Sequence, residues 1–358
     1  MRSIWDKFRA ALCISGGNRR PPPTYSAPVL VGGGDEGGGG EALQEDLLSA
    51  LPDDLLLVVL LRLPSAAGAA RTSVLSRRWR RLWADLPWLL FPEPADLVGM
   101  RPALAALAAP ALHQHIVASD ADPGDAAAVL LLAAPRLTGM LVFHDAVPHR
   151  AWTGGNVDLP CFEKAVWIHL CLGYHGLAFP LTGVFAKLTV LHFMYLGRVK
   201  ELQQLTIVAP MLRQLCVCCC FIDGGRQPVA QIFAPVLEML WWDNAYDMSS
   251  VQLGKLAHLR QLSTFCTVTY GCTGYPYNWD PMMLLRRFQK IPILHLLIIY
   301  PANLTDSQYL AEIITLRPDI EELSLGLGLS ARGHAFGPCV FHLLSIFFWY
   351  KKAEDEDI

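Results

Sequence analysis

Residues 47–91 read LLSALPDDLLLVVLLRLPSAAGAARTSVLSRRWRRLWADLPWLLF, and this stretch predicts three short helices. The first helix begins at Pro52, which two acidic residues follow in the first turn, where they stabilise a helix. Ser65 and Ser76 stand where they would cap the second and third helices. Because about 45 residues form only a small core, we expect this unit to be marginally stable on its own.

The first of these helices is apolar on every side. Each residue from Leu55 to Leu61 is leucine or valine, so one small bundle cannot bury them all. A helix of this kind is either buried deep in a protein or docked against a partner. Since little chain nearby would cover it, the composition favours a partner. Burial of four leucine-sized side chains contributes roughly 6–12 kcal/mol before the cost of association.

The motifs of this unit resemble the F-box of plant F-box proteins. The likeness rests on Leu51-Pro52-Asp53-Asp54-Leu55-Leu56 and on Ala69-Ala70-Arg71-Thr72-Ser73-Val74-Leu75-Ser76-Arg77-Arg78-Trp79-Arg80-Arg81-Leu82-Trp83. Residues 65–68 depart from the pattern, since they lack a charge that many relatives carry there. The resemblance implies docking on a Skp-type adaptor of a cullin-RING ubiquitin ligase, while a separate domain presents the target.

The same resemblance implies which residues form or support the adaptor-binding surface. They are Leu51, Pro52, Leu55, Leu56, Val59, Leu60, Val74, Leu75, Trp79 and Trp83. Catalysis would then be proximity, with the chemistry supplied by other subunits. The arginines between residues 71 and 81 would alternatively form a nucleic-acid patch or a nuclear signal. Their helical spacing beside two tryptophans favours the polar face of the F-box instead.

A second pattern recurs after Phe91. It consists of proline or alanine, one residue, an apolar residue, two residues, an apolar residue, one residue and an apolar residue. The copies begin at positions 110, 135, 160, 186, 210, 235, 257, 292 and 318, which are 25, 25, 26, 24, 25, 22, 35 and 26 residues apart. This is the period of a leucine-rich repeat, roughly 20–29 residues. The long interval, around Cys272 to Asp280, predicts an inserted loop.

The spacing within each copy predicts a short strand. A two-residue step places the last two apolar residues on one face, and the residue between them points outward. Each unit buries its apolar face only by stacking on its neighbours, so the pattern predicts a curved solenoid. In the copy at position 235, Leu237, Leu240 and Trp242 would point inward. We expect Cys216 and Ser263 of neighbouring copies to lie on the outward surface.

The outward surface of the solenoid is the predicted target-binding site. A large rigid aromatic residue beside a methionine is a typical interface anchor, and Trp241 with Met239 forms such a pair. The target-binding residues predicted from this register are His192, Gln214, Met239, Trp241 and Asp243. The alternative is that the chain's own tail, at residues 347–349, covers Trp241.

The repeat region resembles that of plant F-box proteins with leucine-rich repeats, including grass forms with a C-terminal FBD-like segment. Residues 159–165, 176–180 and 334–344 carry this likeness. Residues 196–209 are shorter than expected for the group, and the chain ends in an acidic tail rather than a further repeat. The final cap of the solenoid is therefore expected to be incomplete.

Together these patterns predict an α+β chain, with a three-helix F-box followed by an α/β leucine-rich-repeat solenoid. The expected domains are a disordered Pro/Gly-rich segment at 1–44, an F-box at 45–92, a solenoid at 93–330, and an FBD-like remnant with an acidic tail at 331–358. The proline and glycine tracts of the first segment cannot pack a core, so it reads as a linker.

The composition argues against several classes of function. The formal net charge of −3 argues against general nucleic-acid binding. The N-terminal residues lack a secretory h-region, so the ten cysteines are expected to be reduced thiols in the nucleus and/or cytoplasm. No apolar run reaches the roughly 18 residues that a membrane span requires.

The cysteines at 216–220 are the most prominent candidates for chemistry. Cys216, Cys218 and Cys220 would share one face of a strand, but no histidine lies near them in sequence, so packing is favoured over metal binding. No phosphate-binding loop, nucleophile elbow or paired-carboxylate motif stands out. We therefore expect a non-enzymatic chain without a cofactor or a metal.

The sequence thus predicts a substrate-receptor subunit of a Skp-cullin-F-box ubiquitin ligase. Its partners would be a Skp-type adaptor, through it a cullin-RING ligase, and an unknown protein target. The rival hypothesis is a scaffold that binds the adaptor without directing degradation, or a degenerate F-box copy. The third hypothesis is that the chain is an enzyme.

Overall fold

The computed structural model describes residues 50–63, 65–91, 97–107, 112–119, 122–145, 155–172, 176–180, 183–195, 204–218, 220–221, 229–244, 246–268, 279–288, 290–299 and 320–328. The chain divides into two units, Met1–Ala50 and Leu51–Ile358. Every described residue except Ala50 belongs to the second unit. The predicted linker at 1–44 and the predicted FBD-like segment and tail at 331–358 lie outside the described residues.

Three helices form where the first motif predicted them. They are α1, Asp53–Leu61; α2, Ala66–Arg71, continued by a 3-10 turn at Thr72–Val74; and α3, Arg77–Ala84. The Ser65 hydroxyl accepts a hydrogen bond from the Gly68 N–H at 3.1 Å, and the Ser76 hydroxyl accepts one from the Trp79 N–H at 3.4 Å. Both serine caps are therefore confirmed.

The remaining described elements are mostly short strands. The strands are β1 Trp88–Phe91, β2 Leu112–Ser119, β3 Leu137–Asp145, β4 Asn156–Asp158, β5 Trp167–Leu172, β6 Gly176–Ala178, β7 Val190–Tyr195, β8 Gln204–Val208, β9 Gln214–Cys218, β10 Val229–Phe233, β11 Met239–Asp243, β12 Val251–Gln252, β13 Gln261–Val268, β14 Ile293–Ile299 and β15 Glu322–Gly328. The helices among them are α4 Leu97–Ala106, α5 Pro123–Ala133 and α6 Trp279–Arg286.

Ten of these strands form one parallel sheet. Their order is β1, β2, β3, β5, β7, β9, β11, β13, β14 and β15. Three short strands, β12, β10 and β8, form a second parallel sheet, and β4 pairs with β6. The chain thus alternates between a long sheet and shorter ones, which is a solenoid-like arrangement consistent with the predicted α+β repeat. Among the described residues, no helix is long and apolar enough to cross a membrane.

One hydrophobic core connects the helical unit with the sheet. It begins at Leu56 and Leu60 of α1 and continues to Leu294 and Leu296 of β14. Within the sheet, one buried row runs across five strands in direct register: Leu191, Leu215, Leu240, Leu262 and Leu294. This is the inward row that the repeat pattern predicted for the copies at 186, 210, 235 and 257, and stacking of the copies keeps it dry.

Three copies were read out of register from the sequence. In the copy at position 292 the pattern placed Leu297 and Ile299 inward on the strand, but Leu294 and Leu296 of β14 belong to the core. The pattern placed Met140 and Val142 inward in β3, but Leu141 and Phe143 belong to the core. The pairing of β2 with β3 shifts between Leu112 and Gln114, and this irregularity moves the inward positions by one residue. In β5 the pattern placed Trp167 inward, but Ile168 and Leu170 are the strand residues that belong to the core. Trp167 consequently lies on the outward face, paired with Val190.

The helical unit runs directly into the sheet. Strand β1 begins four residues after α3 ends and pairs in parallel with β2, so that Trp88 lies opposite Gln114. Leu89 and Phe91 of β1 are part of the common core. The last residues of the predicted F-box segment therefore form the first strand of the sheet, which sequence patterning did not reveal.

The long interval between copies holds a helix. Residues 272–278 of the predicted inserted loop lie outside the described residues, whereas Asp280 belongs to α6. Leu284 and Leu285 of α6 are buried in the common core. The interval thus contributes to the core between β13 and β14 as well as adding length.

Candidate protein-binding surfaces

Helix α1 has one buried side and one exposed apolar side. Leu56 and Leu60, four residues apart, are buried in the core. The other side stays open to solvent, with exposed fractions of 50% for Leu55, 47% for Val58, 42% for Val59 and 44% for Leu61. The prediction that this small bundle cannot bury the whole apolar run is confirmed.

The ten predicted adaptor-binding residues fall into two groups. The exposed group contains Pro52, Leu55, Val59, Val74 and Leu75, of which Val74 is 83% and Leu75 is 60% exposed. The buried group contains Leu56, Leu60, Trp79 and Trp83, and Leu51 is half-buried. The first group can contact another protein directly, whereas the second group can only support it from beneath.

Sequence reasoning missed two residues of this surface, Val58 and Leu61. Val58 lies three residues from both Leu55 and Leu61, so all three lie along one side of α1. Because every residue of the run is apolar, the sequence carried no contrast that would show which side faces the core. The side that packs on the core became clear only from the burial of Leu56 and Leu60.

Charged side chains hold the start of α1 against α3. Arg78 Nε donates a hydrogen bond to Asp53 Oδ1 at 2.6 Å, and Arg78 Nη2 donates to the Leu51 carbonyl at 2.5 Å. Arg81 Nη2 lies 3.6 Å from Asp53 Oδ2. Two of the arginines considered for nucleic-acid binding are therefore engaged within the helical unit, and they fix the direction in which the exposed side of α1 points.

The helical unit is similar to a known domain family. Residues 48–90 match the F-box domain. This F-box contains all ten residues predicted to form or support the adaptor-binding surface. F-box domains bind Skp1-type adaptors of cullin-RING ligases, and F-box proteins are generally non-catalytic substrate receptors. Comparisons with curated proteins and with solved structures gave no match to this chain.

The second surface is the outward face of the long sheet. In β11, Leu240 and Trp242 are buried in the core, whereas Met239, Trp241 and Asp243 alternate with them and are half-buried. The predicted register of this strand is therefore confirmed.

Direct pairing places short or uncharged side chains around the two anchors. Trp241 lies between Cys216 of β9 and Ser263 of β13, and Met239 lies between Gln214 and Gln261 of the same two strands. One strand further along, His192 pairs with Cys216. The structure thus brings the predicted residues of β7, β9 and β11 together on one face, and it adds Gln261 and Trp167, which the sequence analysis did not include.

His192 supports this face from below. It is only 5% exposed, and its ring packs edge-on against Trp167 at 6.2 Å and against His169 at 5.7 Å between centroids. Burial, followed by the proximity of His169, lowers the pKa of His192 to about 3. Burial, followed by the proximity of His144, lowers the pKa of His169 to about 4. Both imidazoles are therefore neutral at physiological pH.

The cysteine cluster divides between the two sides of the sheet. Cys216 and Cys218 are buried on the outward face with their sulfur atoms 3.4 Å apart, whereas Cys220 lies in the core. The prediction that all three share one face is wrong for Cys220, because β9 ends at Cys218. A hydrogen bond with Cys216, together with burial, raises the pKa of Cys218. Across the described ranges, no three His, Cys, Asp or Glu side chains are placed to hold a metal ion.

Proposed function

We propose that this chain is the substrate-receptor subunit of a Skp-cullin-F-box ubiquitin ligase. The F-box would dock the adaptor, and the outward face of the sheet would hold a protein target for ubiquitination by other subunits. The observation that carries the proposal is the open apolar side of α1 within the F-box match. Four side chains there remain between 42% and 50% exposed although the opposite side of the same helix is buried.

The exposed apolar surface of α1 is large enough for docking only together with Val74 and Leu75. Complete burial of one leucine or valine contributes roughly 1.5–3 kcal/mol, so four half-exposed ones contribute about 3–6 kcal/mol. Association itself costs at least about 4 kcal/mol. Stable binding therefore needs the exposed Val74 and Leu75 as well, and both belong to the predicted adaptor-binding set.

The geometry of one copy supports leucine-rich repeats as the class of solenoid. Residues Leu212, Leu215, Val217 and Cys220 follow the spacing L-x-x-L-x-L-x-x-N/C of that repeat. The Cys220 thiol lies 3.9 Å from the Phe193 carbonyl of the preceding copy. A buried polar group that contacts the neighbouring copy is what the N/C position supplies in a stacked repeat. The FBD-like and plant assignments rest on sequence resemblance.

Asn244, in the next copy, also links neighbouring copies through hydrogen bonds. Asn244 Oδ1 accepts hydrogen bonds from the N–H groups of Cys220 and Phe221, at 2.6 Å and 3.2 Å, and Asn244 Nδ2 donates to the Val217 carbonyl at 2.7 Å. These contacts give the Cys220 and Phe221 N–H groups a side-chain acceptor and tie the end of β9 to the next copy. They support the view that β9 and β11 form a rigid platform for a bound target.

The domain limits remain part of the proposal: a linker at 1–44, an F-box at 45–92, a solenoid at 93–330 and an FBD-like remnant at 331–358. The proposed location is the nucleus and/or the cytoplasm, where Skp-type adaptors would be met. No catalytic role is assigned to any residue of this chain.

The test is co-purification followed by identification of the target. Tagged full-length chain should recover a Skp-type adaptor and a cullin from cells. Proximity labelling with and without a proteasome inhibitor should then reveal a partner that accumulates only when the proteasome is blocked. Adaptor recovery without such a partner would favour the non-degradative scaffold, and absence of the adaptor would contradict the proposal.

A further inference from the structure

The outward face around β11 has an apolar centre and an uncharged border. Trp241 and Met239 form the centre and are half-buried, so each offers part of its side chain to solvent. The side chains that flank them in direct register are the buried Cys216 and Ser263 and the half-buried Gln214 and Gln261. Interfaces with this arrangement derive most of their energy from the central aromatic residue, while near-neutral neighbours exclude water.

The uncharged character extends along the sheet. On β5 and β7 the outward residues are Trp167, His169, Cys171, Val190, His192 and Met194. The two histidines are neutral because their pKa values are lowered to about 4 and about 3 by burial. Among the outward positions described from β5 to β13, Asp243 is the single residue with a charged side chain. It stands at the end of β11, away from Met239.

Among the described residues, three further charged side chains border the face at the strand starts. Arg213, Glu238 and Arg260 directly precede β9, β11 and β13. Arg213 Nη1 and Glu238 Oε1 form an ion pair at 2.5 Å, so they largely neutralise each other. A charged or phosphorylated segment laid over Trp241 would lose its hydration and gain only weak compensation at this edge. An apolar segment would gain from burial.

Resting on the proposed receptor function, we propose that this face captures an uncharged, unmodified apolar segment of its target, anchored on Trp241 and Met239. Recognition then depends on burial and not on phosphate or carboxylate contacts, which would require a cluster of arginines or lysines. The affinity of such an interface depends little on salt, because exposed charge pairs contribute little to it.

The probe is an array of short peptides incubated with the full chain in complex with its adaptor. Three matched sets share one apolar, uncharged scaffold: the scaffold itself, the same peptides with a phosphoserine, and the same peptides with an aspartate or lysine. Capture should favour the first set and should change by less than about threefold between about 0.05 and 0.5 M salt. Preference for the phosphorylated or charged sets, or a steep dependence on salt, would overturn the inference.

Matched variants connect the capture to the face. Met239→Lys places a charge beside Trp241 and should weaken capture by about 30-fold, as expected for damage at an interface anchor. Gln231→Lys adds the same charge at an exposed position of the three-stranded sheet and should leave capture unchanged. Equal capture by wild type and Met239→Lys would overturn the inference, as would capture of no peptide. Loss of the adaptor itself would instead count against the proposed function.

Discussion

Arg78 of α3 donates a hydrogen bond from Nε to Asp53 Oδ1 at 2.6 Å, and this contact joins the start of α1 to the third helix of the F-box. The same guanidinium also donates to the Leu51 carbonyl. One side chain thus fixes both the backbone before α1 and its first acidic residue. The contact sets the direction of the exposed apolar side without taking part in it.

Arg78→Lys should lower the free energy of unfolding by about 0.5–1 kcal/mol. A lysine keeps the charge but cannot reproduce the two directed hydrogen bonds of the guanidinium. The expected loss is small because both partners are partly exposed, with 31% of the Arg78 side chain and 44% of the Asp53 side chain open to solvent. Chemical denaturation measures it, and Arg80→Lys, at an exposed position of α3, is the matched control. Equal stability of the two variants would show that the contact is not structural.

Leu60→Ala and Val58→Ala should affect different properties. Leu60 is buried, so its truncation should cost about 2–5 kcal/mol of stability. Val58 is exposed, so its truncation should change stability by less than about 0.5 kcal/mol while weakening adaptor binding. Thermal unfolding and adaptor titration of both variants check this division. A strongly destabilised Val58→Ala chain would mean that the exposed side of α1 is covered within the chain.

Trp241→Ala and Trp242→Ala test the register of β11 without knowledge of the target. Trp242 is buried in the core and contacts Phe221 at 5.9 Å between ring centroids, so its removal should cost about 3–5 kcal/mol. Trp241 is half-buried on the outward face, so its truncation should lower the free energy of unfolding by clearly less. Melting temperatures of the two variants give the answer. The proposed cover of Trp241 by residues 347–349 lies outside the described residues, and a more destabilised Trp241→Ala chain would favour it.

Acidification should weaken the repeat region through its buried histidines. The pKa values of His169 and His192 fall to about 4 and about 3 in the folded chain, from an ordinary value of 6.5. The unfolded chain therefore binds more protons below about pH 6.5, and stability should decrease as the pH falls toward 4. Each histidine contributes roughly 1 kcal/mol per pH unit in this window. Urea unfolding at a series of pH values measures the slope.

His192→Gln supplies the control for this pH dependence. Glutamine does not titrate, so the variant should show a shallower loss of stability between about pH 6.5 and 4 than the wild type. Gln231→Asn changes an exposed side chain that does not titrate and should leave the slope unchanged. Identical slopes for the wild type and His192→Gln would contradict the burial of an uncharged imidazole on this face.

Local chemistry made several parts of the fold predictable. Ser65 and Ser76 predicted the starts of two helices because a serine oxygen can accept a hydrogen bond from an N–H group of the first turn. The alternation of β11 was predictable because Leu240 and Trp242 stand two residues apart in a repeat of nearly constant period. In each case the signal lies within a few residues of the position that it determines.

Other parts depend on contacts between distant segments. The shift between β2 and β3 cannot be seen in either strand alone, and it decides that Leu141 and not Met140 points inward. Trp167 was misplaced because Ala165, three residues after Phe162, satisfied the spacing that the pattern requires, so the strand was started one step of the pattern too early. In α1, uniform apolarity hid which side packs on the core. Val58 could be recognised as exposed only once α3 and β1 were in place.

The docking of α1 is tested most directly by the affinity of the full chain for a Skp-type adaptor. Leu55→Asp with Val59→Asp places two charges on the exposed side of α1 and leaves the buried Leu56 and Leu60 intact. Leu131→Asp adds a charge at an exposed position of α5, outside the F-box match, and serves as the control.

Isothermal titration with purified adaptor is the decisive measurement. The double variant should lose binding, because each unpaired charge costs several kcal/mol in a dry interface, while its far-UV circular dichroism stays unchanged. The Leu131→Asp chain should bind like the wild type. Undiminished adaptor affinity in a folded Leu55→Asp, Val59→Asp chain would contradict the assignment of this helix as the docking surface.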